Sequence, residues 1–481
     1  MQSIESLKSI AEDGLKMLER KADVKEAEVF AAANCLNTYR ICYASNIPSN
    51  GLEEPKSQES FGLSVRVLFR DRRMGFGKAD SALDKNAIEL AFGRAKKSAV
   101  LDKNFRSLPK PGKKPKAVLN ADRQIISLNE EKAIDLAYAS LNSALGVLEK
   151  KSKSELNITG ELDTLAERVA IANSNSLFES DENTVGWQTL TTILEGSKGD
   201  VSGMWFSSSP FLNKLSPEET GKKSAEKALA LQNGKKVESG NYKVILGRMA
   251  AGELFTNIFD ARLNSLDAKS TPFMNDLNKK IAPEFLNVQD NGNLEGAIGS
   301  KKITDEGLPT GRTELIKNGK FMGMVSNDYY SKKYPKLHFA PNNGFRSGGS
   351  GRHYESEPGV EYSNLVIGEG DRSEEELIAE TKNGIYVGRI WYCYGVNGST
   401  SSDFTSTIRG DSYIIRDGEL AEPLVPNTCR ILDSLHSVLK NVSALSKNLE
   451  ATLIWGADSV ILAPEIAVKK LRIERIARQL Y

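Results

Sequence analysis

Apolar residues recur at helical spacing along residues 3 to 21, where Ile4, Leu7, Ile10, Leu15, Met17 and Leu18 form a stripe in a charged segment. This is the pattern of a surface helix lying on a sheet or core. The period then changes. EAEVFAAANCLNTYRICYASN mixes alternation with β-branched and aromatic residues, and Phe61 to Phe69 (FGLSVRVLF) alternates at period two before a turn and Met74-Gly75-Phe76-Gly77. These segments predict strands, the second pair a hairpin. A helix follows over about Asp84 to Ser98, with Ala87, Ile88, Ala91 and Ala95 on one face, and then Leu108 to Lys116 (LPKPGKKPK), whose three prolines predict an extended, solvated linker. Ser127 with Glu130 reads as a capping box opening a helix to about Leu148. Residues 155 to 206 carry strand candidates, among them ERVAIANS, GWQTLTTILEG and VSGMWFSS, separated by Asn, Gly and Asp turns. Ser216, Pro217 and Glu219 signal a further helix start, and Asn233-Gly234 its stop.

The polar run KKVESGN before the strand YKVILG sets the expected domain boundary, dividing the chain into 1–236 and 237–481. The second half is rich in strands. Two hairpins are expected there, ELIKNGKFMGMV around Asn318-Gly319 and YIIRDGELAEPL around Asp417-Gly418, because Asn-Gly and Asp-Gly tolerate the positive φ of a type I′ turn. Short helices are expected at 250–263, 373–382 (Ser373 with Glu376 as its cap) and 428–442. The expected class is α+β: an N-terminal mixed sheet with covering helices, then a C-terminal strand-rich, barrel-like domain with short helices.

Composition narrows the partners. Lysine and arginine number 64 against 63 acidic residues in 481, a formal charge of +1, so the chain as a whole offers nucleic acid and anionic membrane no attraction. Four cysteines (Cys35, Cys42, Cys393, Cys429) without a Cys-x-x-Cys pair point to reduced thiols rather than a disulfide scaffold. The N-terminus lacks the apolar core of a signal peptide, and no stretch approaches the roughly 20 apolar residues of a membrane span. A soluble, cytoplasmic protein is the expectation.

Candidate chemistry is sparse. The three histidines, His338, His353 and His436, do not pair at the one-turn spacing with which helical zinc sites hold a metal. Ser399, Ser401, Ser402 and Ser406 crowd GVNGSTSSDFTS, but no Gly-x-Ser-x-Gly elbow is present. That loop and FRSGGSGRH (345 to 353) are glycine-rich without a phosphate-loop pattern. Glu374-Glu375-Glu376 at a helix start and Asp181-Glu182 at a turn read as solvated carboxylates. A Cys393, Cys429 and His353 metal site is opposed by the apolar strand IWYCYGV that carries Cys393.

Three blocks in the second half carry a resemblance: TDEGLPTGRTELIKNGKFMGMVSNDYYSKKY (304 to 334), GSGRHYESEPGVEYSNLVIGEG (349 to 370) and NGIYVGRIWYCYGVNGSTSSDFTSTIRGDSYIIRDGELAEPL (383 to 424). With GLSVRVLFRDRRMGFGKAD (62 to 80) upstream, they resemble the TldD/PmbA family, also called modulator of DNA gyrase, in order and spacing over nearly the full length. The resemblance implies two paralogous subunit types that pair. TldD-type chains carry His-Glu-x-x-x-His on a helix after a strand like VILG, with a C-terminal cysteine, and hold a peptidase metal; PmbA/TldE-type chains lack that set. Setting VILG (244 to 247) in register places the histidines at Thr256 and Ala261, the glutamate at Asn257, and the cysteine close to Trp455. None of the four residues can take the role: alanine offers no donor, threonine is a poor neutral ligand, asparagine is no general base and tryptophan has no free lone pair.

The resemblance therefore implies a PmbA/TldE-type, non-catalytic subunit of a heteromeric metallopeptidase acting on unfolded peptides, with no cofactor in this chain and zinc or another divalent metal in a TldD-type partner. Its own contribution would be walls and strand edges holding the peptide main chain. The alternative implication is a homodimeric peptide- or protein-binding regulator without peptidase activity. An autonomous enzyme with an unfamiliar site is a third reading.

Overall fold

The computed structural model describes all residues except 49–50, 117, 150–154, 197–199, 347–350, 399, 454–459 and 477–481. Its first half is built on one eight-stranded sheet in the order Val100–Leu101, Arg73–Asp80, Lys56–Phe69, Val24–Ala44, Glu155–Asn173, Leu177–Glu195, Val201–Ser209, with Gly51–Leu52 beside the end of Val24–Ala44. Every pair in it is antiparallel. Three strands reach 19 to 21 residues. They are that long because both faces find cover. Val29, Ala31 and Ala33 point to the helices Ile4–Glu19 and Lys85–Ser98, while Phe30 and Ala32 point to Ile303, Leu308 and Tyr354 of the second half. A strand buried on both sides loses its polar alternation, which explains the mixed texture of EAEVFAAAN.

Farther along the same sheet, Ile41, Ile158, Leu162 and Leu190 pack under the helices Glu130–Leu148 and Pro217–Ala230. Two expected caps differ from the sequence reading. Glu130–Leu148 is capped by Asn129, whose side chain accepts from the Lys132 amide at 2.9 Å, whereas Ser127 ends a short helix Arg123–Ile126 and donates to the Arg123 carbonyl. Ser216 precedes Pro217 as expected but makes no side-chain cap; its amide instead donates to Ser207. The proline-rich stretch is exposed from Lys110 to Lys114 and again at Lys116, but not at its start. Leu108 is fully buried, and the Asn173 side chain donates to the Pro109 carbonyl.

The second half holds a nine-stranded, curled half-barrel sheet in the order Ile390–Gly395, Asp403–Ile408, Cys429–Ser434, Ile466–Arg475, Gly240–Leu246, Gly384–Val387, Ser412–Arg416, Glu419–Pro423, with Val442–Leu445 on Ile466–Arg475. A six-stranded sheet completes it: Lys320–Phe321, Arg312–Lys317, Val288–Asn291, Leu365–Ile367, Val460–Ala463, Glu450–Leu453. Parallel pairs lie in this half, Gly240–Leu246 with Gly384–Val387 and Leu365–Ile367 with Val460–Ala463. Phe255, Phe259, Phe273 and Phe321 fill the space between the sheets with ring centroids 5.0 to 6.4 Å apart, offset and edge geometries that aromatic quadrupoles favour.

Both expected hairpins form, with positive φ at Asn318, Gly319, Asp417 and Gly418. The Ser373–Glu376 capping box is complete. The helix expected at 428–442 is half strand: Cys429–Ser434 joins the large sheet, and the helix spans Leu435–Asn441. Pairing on both sides outweighs the helical spacing of Ile431, Leu435 and Val438.

Candidate functional site

The helix Arg248–Ile258 rises from the end of the central strand Gly240–Leu246, anchored where the Gly247 amide donates to the Val387 carbonyl at 2.9 Å. It buries Ala250, Ala251, Leu254, Phe255 and Ile258, and turns Thr256 and Asn257 outward. Asn257 spends its side-chain amide on the Glu253 carbonyl at 2.9 Å. The helix stops at Ile258 rather than reaching 263. Ala261 lies beyond it, fully buried, its amide donating to the Tyr362 hydroxyl at 2.8 Å. Thr256 and Asn257 thus share an exposed surface from which Ala261 is turned away. The strands Glu450–Leu453 and Val460–Ala463 both pack on this helix; Trp455, between them, lies outside the described residues.

Beside the helix runs Ile390–Gly395, an edge strand of the large sheet. A register shift between Trp391 and Tyr394, with Tyr392 at φ 52°, turns Tyr392 and Tyr394 outward, 61% and 56% exposed. The guanidinium groups of Arg389 and Arg409 lie 5.6 and 5.8 Å from the Trp391 ring. Burial, and then the charge of Arg409, lower the Arg389 pKa to about 10. Cys393 points inward, and burial pushes its thiol well above the usual range, so it stays neutral.

The other candidates are held in structural roles. Ser402 shares a hydrogen bond with Ser434, Ser401 accepts from the Asp403 amide, and Ser406 donates to the Trp391 carbonyl; Ser399 lies outside the described residues. His436 Nε2 sits 2.7 Å from Asp276, His338 is exposed, and His353 is buried where the two halves meet. Cys429 belongs to the second-half core, its thiol raised to about 11 by burial. Among the described residues no group of three His, Cys, Asp or Glu is placed to hold a metal ion. Residues 347–350 of the glycine-rich loop lie outside the description, but Arg346 and Arg352 at its ends are buried.

Two carboxylate readings are corrected. Asp181 and Glu182 lie within the strand Leu177–Glu195, not at a turn, and Asp181 accepts from buried Arg352 at 2.9 Å, while Arg352 also donates to Asp305 at 2.7 Å. Glu375 and Glu376 are exposed as expected, but Glu374 lines a cleft between the two halves. Burial, and then the charge of Glu465, raise its pKa. No local pattern distinguishes Glu374 from its neighbours; Tyr386 and Glu465 reach it through the fold.

Known proteins match this architecture. The model of the PmbA/TldA metallopeptidase C-terminal domain matches residues 239–475, and that of the central domain matches 124–232. The chain is 22% identical over 356 residues to the Metalloprotease PmbA homolog of Buchnera aphidicola subsp. Baizongia pistaciae, covering 71% of this chain and 74% of that one. Its fold is that of TldE from Thermococcus kodakarensis (TM-score 0.81, 21% identity, 98% of this chain and 100% of that one) and of a putative modulator of DNA gyrase from Thermotoga maritima (TM-score 0.79, 19% identity, 98% and 100%). With two family models together spanning more than half of its length, this chain belongs to the PmbA/TldD family.

Proposed function

We propose that this chain is the non-catalytic, PmbA/TldE-type subunit of a heteromeric metallopeptidase acting on unfolded peptides. The observation that carries the reading is the segment from the helix Arg248–Ile258 to Ala261 just beyond it, where the family register puts ligand and base at Thr256, Asn257 and Ala261. These residues do not fit a divalent metal: an exposed hydroxyl, an amide engaged with its own helix and a buried methyl group provide neither a ligand set nor a base. The metal and its activated water then belong to a TldD-type partner. This chain contributes a surface, and the Ile390–Gly395 edge with its two exposed tyrosines supports a role in holding an extended peptide by its main chain.

The test mixes the purified full chain with a His-Glu-x-x-x-His paralogue and follows cleavage of an unstructured peptide. Cleavage is expected from the mixture, abolished by chelator and absent from this chain alone, with a heteromer by light scattering. Chelator-sensitive cleavage by this chain alone, or one tightly bound metal per chain, overturns the assignment. A homodimer that binds peptide and ignores the paralogue supports the regulator instead.

A further inference from the structure

A cleft of about 520 Å³ opens between the two halves. Trp205, Ser208 and the helix Pro217–Ala230 form one wall; Arg248, Glu374, Tyr386 and Thr452 belong to the other. Five carboxylates line it against three cations, and the cations are committed. Arg248 Nε lies 2.5 Å from Glu465, an ion pair without hydrogen-bond geometry, and a second guanidinium nitrogen pairs with Glu450; Lys227 lies 2.5 Å from Asp411 and Lys223 2.7 Å from Glu219. Glu374 has the Tyr386 hydroxyl as its polar partner and Glu465 as a like-charged neighbour, with the charges of Arg248 and Lys227 acting on it from beyond ion-pair distance. None of the described cations closes an ion pair with it.

A second, independent feature comes from uncharged groups. Ser208 from the first half and Thr452 from the second both line the cleft, and each carries a buried hydroxyl without a hydrogen-bond partner among the described residues. Such groups are costly unless a donor reaches them. The Trp205 ring already faces the Lys223 and Lys227 ammonium groups at 4.4 and 5.0 Å, so this wall suits cations.

We propose that the cleft is a binding site for a cationic nitrogen group, a guanidinium or primary ammonium, with Glu374 as its counter-charge, Trp205 and Tyr386 as flanking rings and the Ser208 and Thr452 hydroxyls as acceptors. The group comes either from a basic peptide side chain or from a free polyamine. The site is separate from the surface of Thr256 and Asn257 and stands whether or not the chain serves a peptidase.

Isothermal titration calorimetry on the full chain tests it, using N-acetylarginine amide, N-acetyllysine amide, spermidine and the uncharged isostere N-acetylcitrulline amide. Saturable binding of the charged probes is expected, with none for the citrulline compound. Tighter binding of the amino-acid amides identifies a peptide side chain as the source, and tighter binding of spermidine a polyamine. E374Q, nearly isosteric and checked by its unfolding curve, should weaken the preferred probe about tenfold or more, and W205L should weaken it by several-fold. No saturable heat from any charged probe, equal binding of the citrulline compound, or an unchanged affinity in folded E374Q overturns the proposal.

Discussion

Asp163 is 3% exposed on the strand Glu155–Asn173 and accepts a hydrogen bond from the Thr38 hydroxyl. Burial, and then the charge of Glu161 two residues along on the same face, raise its pKa to about 7. A carboxyl that holds its proton more tightly folded than unfolded stabilises the fold fully below the ordinary carboxyl range. That contribution is lost as pH rises toward 7. Asparagine mimics the protonated form: its oxygen accepts from Thr38 and its amide donates to Glu161. D163N should therefore match the parent near pH 4 and exceed it by about 1–2 kcal/mol at pH 8 in urea unfolding. An advantage that stays constant between the two pH values would sink the idea. Nothing in ELDTLAER marks Asp163, because Thr38 lies 125 residues away and meets it only across the sheet. Chemistry of this kind, set by neighbours across the fold, is not legible in a local stretch of sequence.

At the scale of elements, glycines decide how closely layers approach. The strand Arg73–Asp80 carries Gly75 and Gly77 beneath the helix Lys85–Ser98, and a Cβ on either would lie 2.0 Å from a helix carbonyl, that of Ala95 or Ala91. The contact is backbone on backbone, so no side chain can rotate aside. G77A should cost about 2–3 kcal/mol. Gly93 in the same helix has nothing within 4 Å of its Cβ position, and G93A should add up to about 1 kcal/mol through helix propensity alone. Thermal unfolding of the two variants checks the pair; equal and small shifts would mean that the helix is not seated on the strand. The MGFG hairpin and helix 84–98 were readable from their periods, as was their adjacency in sequence. The cap at Asn129, the missing cap at Ser216 and the strand Cys429–Ser434 were not: Ser127 bonds back to Arg123 and leaves the cap to Asn129, Ser216 turns its amide to Ser207, and Cys429–Ser434 is drawn into the sheet by strands distant in sequence.

For the whole molecule, the junction between the halves matters most. Phe30, Val169 and Ile171 of the first sheet meet Ile303 and Leu308, and buried charges surround that apolar patch. Glu28 accepts two bonds from Arg66, at 2.8 and 2.7 Å, and lies 3.2 Å from Arg346; Lys301 reaches Glu167 at 3.0 Å. Arg352 joins Asp181 of the first half to Asp305 of the second and donates to the Ile303 carbonyl at 2.9 Å. A buried pair of this kind stabilises modestly as a unit, but removing one partner strands the other charges. R352M keeps most of the volume and leaves two carboxylates buried without their cation, for an expected loss of about 3–5 kcal/mol. Adding D181N to that variant removes one stranded charge and should recover part of the loss, whereas D181N alone should destabilise; calorimetric unfolding of the four proteins closes the cycle. Because Arg352 spans both halves, its loss should also uncouple them, splitting one transition into two. Additive losses in the double variant, with a single transition retained, would show that the halves are held by their apolar contact and that these charges stand apart from it.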